Sequence, residues 1–174
     1  SIKIKTERKQ NNAKALESFN SYYSQIHKAK KTLILIGVSD YALLSDKSIS
    51  KINSFPSIIV LKEHTSNVFD DNFISNIDRL IGPIELQSNS DSLFEDLRPD
   101  LIISLGGMII SKKIKSFLRN YKSRKHFHIG INISKDSFYS GVEHLEVNPN
   151  QFFENINGKK IDSNFHKTWQ DINR

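Results

Sequence analysis

Short runs of consecutive apolar residues alternate along this chain with stretches in which apolar residues recur every three or four positions. Unbroken apolar runs of this length are typical of strands buried on both faces of a parallel sheet. Strands are therefore predicted at Thr32–Val38, Ser57–Leu61, Leu101–Leu105, His126–Ile131 and Leu145–Val147. Lys3–Lys5 is interpreted as a further short strand or as the end of a linker.

Helical periodicity fills the intervals between these runs. The clearest case follows Ser111, where apolar residues fall at positions i, i+3, i+4 and i+7 of one face. Further helices are predicted at Asn11–Ala29, Leu43–Ile52, Phe73–Leu80, Leu93–Leu97, Gln151–Ile156 and Asn164–Ile172. Buried strands that alternate with amphipathic helices predict an α/β fold. We expect a Rossmann-like three-layer domain with a mostly parallel sheet of about five or six strands.

Composition narrows the class of protein further. The 174 residues are enough for one domain with a sizeable core, and no apolar run approaches the length of a membrane span. The first ten residues are polar and basic, so that no signal peptide is expected. The chain has no cysteine, which excludes disulfides and fits a cytoplasmic protein. Its net charge of +6 favours anionic partners, although a lysine-rich solvated surface is the simpler explanation. Because the sequence begins with Ser1, we expect it to be a piece of a longer polypeptide.

The stretch Pro99–Gly130 carries the strongest candidate chemistry. A predicted strand ends at Gly106-Gly107, and a helix with Ser111 as its N-cap begins just beyond, so that Lys112 and Lys113 stand at the helix start. Ligands of open α/β sheets bind at this end of the strands, and the turn could hold an anion. The turn fits neither G-x-G-x-x-G nor G-x-x-x-x-G-K-[ST], however. A tight turn that needs glycine for its backbone geometry is therefore the favoured interpretation.

Two other strand ends offer a weaker alternative, a free-standing nucleotide- or dinucleotide-binding module. Gly37 follows the first strand and Glu63 follows the second, where an acidic residue can bind a ribose. Gly106 would complete that site. The simpler interpretation of Glu63 is a solvated carboxylate, or one that is paired with a nearby lysine.

Two remaining patterns favour structural roles. His126 and His128 alternate along a strand and face the same side, but no third metal ligand is evident, so that polar packing is the better interpretation. The basic run Lys112–Lys125 includes Phe117 and Tyr121, as in nucleic-acid-binding helices. Both aromatic residues lie on the face that should be buried, and no nucleic-acid partner is therefore expected.

Four segments of the sequence resemble the central domain of the MenD family, the 2-succinyl-5-enolpyruvyl-6-hydroxy-3-cyclohexene-1-carboxylate synthases. They are KEHTSNV, FISNIDRLIGPIE, LRPDLIISLGGMIISKKIKSFLRNY and HFHIG, and the third is the most specific. The resemblance is good over the middle third of the chain. It implies a central α/β domain at residues 1–158 and a helical exit segment at residues 159–174 that leads toward the next domain.

The resemblance also implies a reaction. Similar enzymes decarboxylate 2-oxoglutarate and add the resulting carbanion to isochorismate in menaquinone biosynthesis, using thiamine diphosphate with Mg²⁺ or Mn²⁺. Their flanking domains bind the cofactor, and they assemble as homodimers or homotetramers. The basic pair after the glycine turn reaches the substrates, which implies substrate-binding roles for Lys112 and Lys113. Relatives often have arginine at the second position. No catalytic residue, cofactor ligand or metal ligand is implied in this chain, which alone is expected to be inactive.

Overall fold

The computed structural model describes residues 19–132 and 135–173. Within them the chain forms the strands β1 (Thr32–Ile36), β2 (Ile58–Lys62), β3 (Leu101–Leu105), β4 (Lys125–Ile129) and β5 (Glu143–Leu145). The helices are α1 (residues 19–28), α2 (Asp46–Asn53), α3 (Ile77–Glu85), α4 (Ser90–Leu97), α5 (Lys112–Asn120), α6 (Pro149–Phe153) and α7 (Phe165–Ile172). The predicted strand Lys3–Lys5 and the first part of the predicted helix Asn11–Ala29 lie outside the described residues.

The five strands form one sheet in the order β2-β1-β3-β4-β5, and every neighbouring pair is parallel. All residues of β1, β2 and β3 are buried, as their unbroken apolar sequences predict. At the carboxyl end of β1, Ile36 is level with Lys62 of β2 and with Leu105 of β3. The predicted α/β class with a five-stranded sheet is confirmed.

Alternate strand residues enter two separate cores, one on each face of the sheet. On one face α1, α2 and α6 cover side chains such as Ile34, Val60 and Ile103. On the other face α3, α4, α5 and α7 cover side chains such as Leu35 and Ile102. The domain is therefore a three-layer α/β/α sandwich, as predicted. No helix within the described residues is long and apolar enough to cross a lipid bilayer.

The segment predicted as a helix at Phe73–Leu80 is only partly helical. Its backbone first joins the edge of the sheet, where the Ile74 N–H group donates to the Val60 carbonyl at 2.9 Å. Because this pairing needs an extended backbone, α3 starts only at Ile77 and continues to Glu85. The aligned side chains of Phe73, Ile77 and Leu80 are buried, as predicted, but the predicted first residue of the helix was wrong.

Two other predicted boundaries move for local reasons. The helix predicted at Leu43–Ile52 is α2, which starts after Ser45 because the Ser45 hydroxyl accepts the N–H group of Ser48 at 3.2 Å. The last strand was predicted at Leu145–Val147, but β5 runs from Glu143 to Leu145 and ends at the first predicted residue. β5 pairs with β4 over only three residues, the last of which is Leu145 opposite Ile129.

Helix α7 is packed against the sheet. Phe165 and Trp169 are buried in the same core as α3, α4 and α5, and the His166 ring bonds to the Ile58 carbonyl at 2.9 Å. This helix lies within the predicted exit segment at residues 159–174. Its role as the path toward a further domain stays a prediction.

Candidate functional site

The strand order directs attention to the carboxyl ends of β1 and β3. In a doubly wound parallel sheet, the chain leaves these two neighbouring strands in opposite directions, and ligands commonly bind in the crevice between the two loops. Here Gly37 follows β1, and Gly106-Gly107 follow β3. The elements that the sequence singled out therefore do come together at one corner of the sheet.

The backbones of the two loops close that crevice. The Gly107 N–H group donates to the Val38 carbonyl at 2.8 Å, and the Val38 N–H group donates to the Met108 carbonyl at 3.1 Å. A Cβ atom on Gly37 would lie 2.2 Å from the Gly107 carbonyl oxygen, so that only glycine permits this approach. Gly106 has a φ of 72°, in the left-handed region that favours glycine. These glycines serve the backbone geometry of the turn, as the sequence favoured.

The surroundings of Glu63 show that its interpretation as a solvated or lysine-paired carboxylate was wrong. It is only 9% exposed and makes no ion pair within the part of the chain that the structure describes. Its Oε1 atom accepts the backbone N–H groups of Ile110 at 2.7 Å and Ser111 at 3.0 Å. An internal carboxylate thus takes the N–H groups at the helix start that an anionic ligand would use.

Ser111 fixes the start of α5, as predicted for an N-cap residue. Its hydroxyl accepts the N–H group of Ile114 at 3.2 Å and donates to the carboxylate of Asp78 on α3. The helix start is therefore tied to β2 through Glu63 and to α3 through Asp78. The corner is held from two sides, and Lys112 is the first residue beyond it.

The two predicted substrate-binding lysines have different surroundings. Lys112 is exposed, and its side chain makes no hydrogen bond or ion pair with any residue in the described ranges. Lys113 donates to Glu85 of α3 at 2.5 Å, and both side chains are less than half exposed. Of the pair, Lys112 offers an ammonium group without a protein counter-charge, whereas the charge of Lys113 is matched by that of Glu85.

Exposed apolar side chains lie on the loops that follow the strands, including the loop that leads to Lys112, and no sequence pattern indicated their exposure. Six of the seven large hydrophobic residues that are exposed within the described ranges lie on the loops that follow β1 to β4. We call them the apolar rim: Tyr41, Phe69, Met108, Ile110, Ile131 and Tyr139. Met108 and Ile110 are exposed on the loop that leads into Lys112, where apolar side chains could contact a ligand or another part of a protein. The loop from β3 to α5 is therefore both cationic and apolar.

His126 and His128 face the same side of β4, as their alternation predicts, and both contact one serine. The Ser104 hydroxyl oxygen lies 2.9 Å from His126 Nε2 and 3.0 Å from His128 Nδ1. Both imidazoles are 2% exposed, and burial lowers the pKa of each to about 4. The nearby Asp136 opposes the lowering for His126, whereas His144 adds to it for His128. The pair is polar packing inside the sheet.

Two further possibilities are not supported at this edge. No group of three or more His, Cys, Asp or Glu side chains suited to a metal ion occurs in residues 19–132 and 135–173. The aromatic residues of the basic run are engaged elsewhere: Phe117 is buried against Trp169, and the Tyr121 hydroxyl donates to Asp91 at 2.6 Å. They are not available to stack on nucleic-acid bases.

The fold and the edge together define a class: a doubly wound α/β domain whose carboxyl edge presents an exposed cation on the loop from β3 to α5. No family model matches the sequence. The sequence does match individual proteins. The three relatives described next are all named 2-succinyl-5-enolpyruvyl-6-hydroxy-3-cyclohexene-1-carboxylate synthase. The relative from Flavobacterium psychrophilum is 39% identical over 154 residues, which cover 87% of this chain and 27% of the relative. That from Flavobacterium johnsoniae is 39% identical over 144 residues, or 82% and 25% of the two chains.

The relative from Christiangramia forsetii is also 39% identical, over 123 residues that cover 71% of this chain and 21% of the relative. Over the segment that it spans, the chain belongs to this synthase family. It spans about a quarter of the length of these relatives.

Proposed function

We propose that the chain is the central α/β domain of a 2-succinyl-5-enolpyruvyl-6-hydroxy-3-cyclohexene-1-carboxylate synthase of menaquinone biosynthesis. The observation that carries the proposal is the 39% identity with synthases over as much as 87% of the chain. The match to about a quarter of each relative fits one domain of a larger polypeptide. We assign the whole enzyme to the cytoplasm and expect it to assemble as a homodimer or homotetramer.

The reaction proposed for the whole enzyme is the decarboxylation of 2-oxoglutarate, followed by addition of the remaining carbanion to isochorismate. Thiamine diphosphate with Mg²⁺ or Mn²⁺ would supply the electron sink. The described residues of this chain do not fit that group, since they hold no metal-ligand cluster and the N–H groups of Ile110 and Ser111 already bind Glu63. We therefore assign the cofactor to the flanking domains and expect the isolated chain to be inactive.

The part assigned to this chain is charge complementarity at the edge of the active site. Both proposed substrates carry two carboxylates, and an ammonium group without a counter-charge attracts them. Lys112 meets this requirement, because it is exposed and makes no ion pair within the described ranges. Lys113 is assigned the weaker contact, since Glu85 competes for its ammonium group. The apolar rim would contact the flanking domains and the carbon skeleton of a substrate.

The alternative of a free-standing nucleotide-binding module loses its support at the same corner. It needed Gly37, Glu63 and Gly106 to be accessible to a ligand. Gly37 instead packs against the backbone of Gly107, and the Glu63 carboxylate binds the turn that would have held a phosphate. No separate observation favours nucleotide binding.

The decisive experiment uses the protein expressed from its complete open reading frame. We expect it to form the named product from 2-oxoglutarate and isochorismate when thiamine diphosphate and Mg²⁺ are supplied. Lys112→Ala should raise the KM for one of the two substrates about tenfold, the effect of losing one charge-assisted contact. Lys122→Ala is the matched control, because Lys122 is exposed just beyond the opposite end of α5. A complete protein without synthase activity would overturn the proposal.

A further inference from the structure

We propose that Glu63 is a positioning residue for Lys112, in that its carboxylate fixes the turn from which the Lys112 side chain projects toward the anionic substrate. This inference rests on the proposed function, because it gives Lys112 a substrate carboxylate to bind. It adds a residue that lies 49 positions earlier in the chain, within the segment KEHTSNV, and to which the resemblance assigned no role.

The Glu63 side chain starts from a fixed point. The Glu63 N–H group donates to the Ile36 carbonyl at 2.9 Å, which extends the pairing of β1 and β2 by one residue. The Glu63 carbonyl accepts the N–H group of Ser66 at 3.1 Å, within the short 3-10 turn His64–Ser66. Because the backbone is held on both sides and the side chain is buried, the carboxylate has little freedom to move.

The carboxylate ends at the two residues that precede Lys112. Its Oε1 atom accepts the N–H groups of Ile110 and Ser111 together, at 2.7 and 3.0 Å. A charged acceptor forms stronger bonds to backbone N–H groups than a neutral one does, and a negative charge is favourable at a helix start. No acidic residue in the first turn of α5 itself could supply that charge. Glu63 therefore supplies, from a different strand, the anion that the lysine-bearing helix start lacks.

The structural consequence for Lys112 is a fixed backbone position. The Ser111 N–H group donates to the Glu63 carboxylate, and the Ser111 hydroxyl donates to the Asp78 carboxylate. These two bonds restrain the peptide that leads into Lys112. The remaining freedom of Lys112 is that of its side chain alone. An ammonium group that is held at the correct edge binds an anion with a smaller loss of conformational entropy. Loss of the Glu63 carboxylate should therefore weaken substrate binding through Lys112.

The test is a double-mutant cycle in the enzyme expressed from its complete reading frame. Glu63→Leu should raise the KM for the same substrate as Lys112→Ala does, by about threefold to tenfold, and leave kcat within about twofold. Glu63→Gln keeps an oxygen acceptor at the same place and should restore KM to within about twofold of the parent enzyme. Glu154→Leu is the matched control, because the Glu154 carboxylate also accepts a hydrogen bond from another element, the Ser45 hydroxyl, but does not touch this turn.

The double variant distinguishes positioning from a purely structural role. If Glu63 acts through Lys112, Glu63→Leu should add no more than about twofold to KM once Lys112 is already alanine. Two full effects that multiply would overturn the inference, as would a Glu63→Leu enzyme with an unchanged KM. If Glu63→Leu does not fold, Glu63→Asp makes the same test, because its shorter side chain keeps the charge but cannot reach both N–H groups. A Lys112→Ala enzyme with unchanged kinetics would instead refute the substrate-binding role that the proposed function gives to Lys112.

Discussion

The carboxylate of Glu63 and the backbone N–H group of Ser111 are joined by a hydrogen bond of 3.0 Å across the carboxyl end of the sheet. This bond connects the end of β2 to the cap of α5. The carboxylate occupies the backbone N–H groups that a phosphate would need at this glycine turn, since a residue of the protein already serves as the anion there. The same bond leaves Lys112 exposed at a fixed corner. This arrangement fits the proposal that the corner is one edge of a larger site.

Replacement of Gly37 by alanine should strongly destabilise the protein. The added Cβ atom would lie 2.2 Å from the Gly107 carbonyl oxygen and 2.9 Å from that of Met108, and both are backbone atoms that cannot turn aside. We expect the free energy of unfolding to fall by about 3 kcal/mol or more, at the upper end for overpacking. Chemical denaturation monitored by circular dichroism measures it.

Gly141→Ala is the control for that experiment. A Cβ atom on Gly141 would meet nothing within 4 Å, although its φ of 70° is unfavourable for alanine. The expected cost is about 1 kcal/mol, from backbone strain alone. Equal costs for the two variants would show that the β1 and β3 loops are not packed as closely as the structure indicates.

The stability of the protein should decrease as the pH is lowered, because of His126 and His128. Burial lowers the pKa of each imidazole to about 4 in the folded state, below the usual value of 6.5. Between these values the unfolded state binds protons that the folded state does not bind, so that the free energy of unfolding decreases as the pH falls from 6.5 toward 4. Above pH 6.5 each histidine contributes its full share to the free energy of unfolding. A pKa lowered from 6.5 to about 4 corresponds to about 3 kcal/mol for each histidine.

Denaturation curves between about pH 5 and 7 isolate this effect, because ordinary carboxylates remain ionised there. Replacement of His128 by glutamine should flatten the slope of stability against pH in this range. The neutral amide can still bond to Ser104 while binding no proton. An unchanged slope in the His128→Gln variant would contradict the prediction for that histidine.

Removal of the Glu85 carboxylate should make Lys113 available. Glu85→Gln should change the free energy of unfolding by less than about 1 kcal/mol, since the ion pair is partly exposed. If Lys113 contacts a substrate carboxylate, the same variant should lower the KM for that substrate about threefold, because the competing anion is gone. Steady-state kinetics of the full-length enzyme checks both parts, with Lys113→Ala expected to raise KM. An unchanged KM in both variants would assign Lys113 to the surface.

The fold was predictable from the sequence because its signals are local. β1 and β3 are buried on both faces, so each is a continuous apolar run, and the Ser111 cap directly precedes its helix. The start of α3 was predicted wrongly because a tertiary pairing of Ile74 with β2 outweighed a helical pattern. Local patterns gave no information about such competition.

The candidate site was predictable only in part, for the same reason. Lys112 stood out because it follows a glycine turn, but the carboxylate that fixes this turn lies 48 residues before Ser111. Nothing near Glu63 in the sequence indicates that partner. The apolar rim was equally hidden, because Met108, Ile109 and Ile110 form one apolar run in which only the central residue is buried. Exposure within such a run depends on the loop conformation.

Truncation of Trp169 to alanine should show whether α7 is integral to the domain. Trp169 is completely buried, with its ring 6.2 Å from that of Phe117 and 6.4 Å from that of Phe165, measured between centroids. We expect Trp169→Ala to lower the free energy of unfolding by about 3–5 kcal/mol, as for other large core residues. Trp169→Phe should cost much less, because Nε1 has no hydrogen-bond partner within the described residues and most of the apolar contact remains. Urea denaturation followed by far-ultraviolet circular dichroism compares the two. A cost below about 1 kcal/mol for Trp169→Ala would mean that α7 separates easily from the sheet, as a segment that only leads to another domain would.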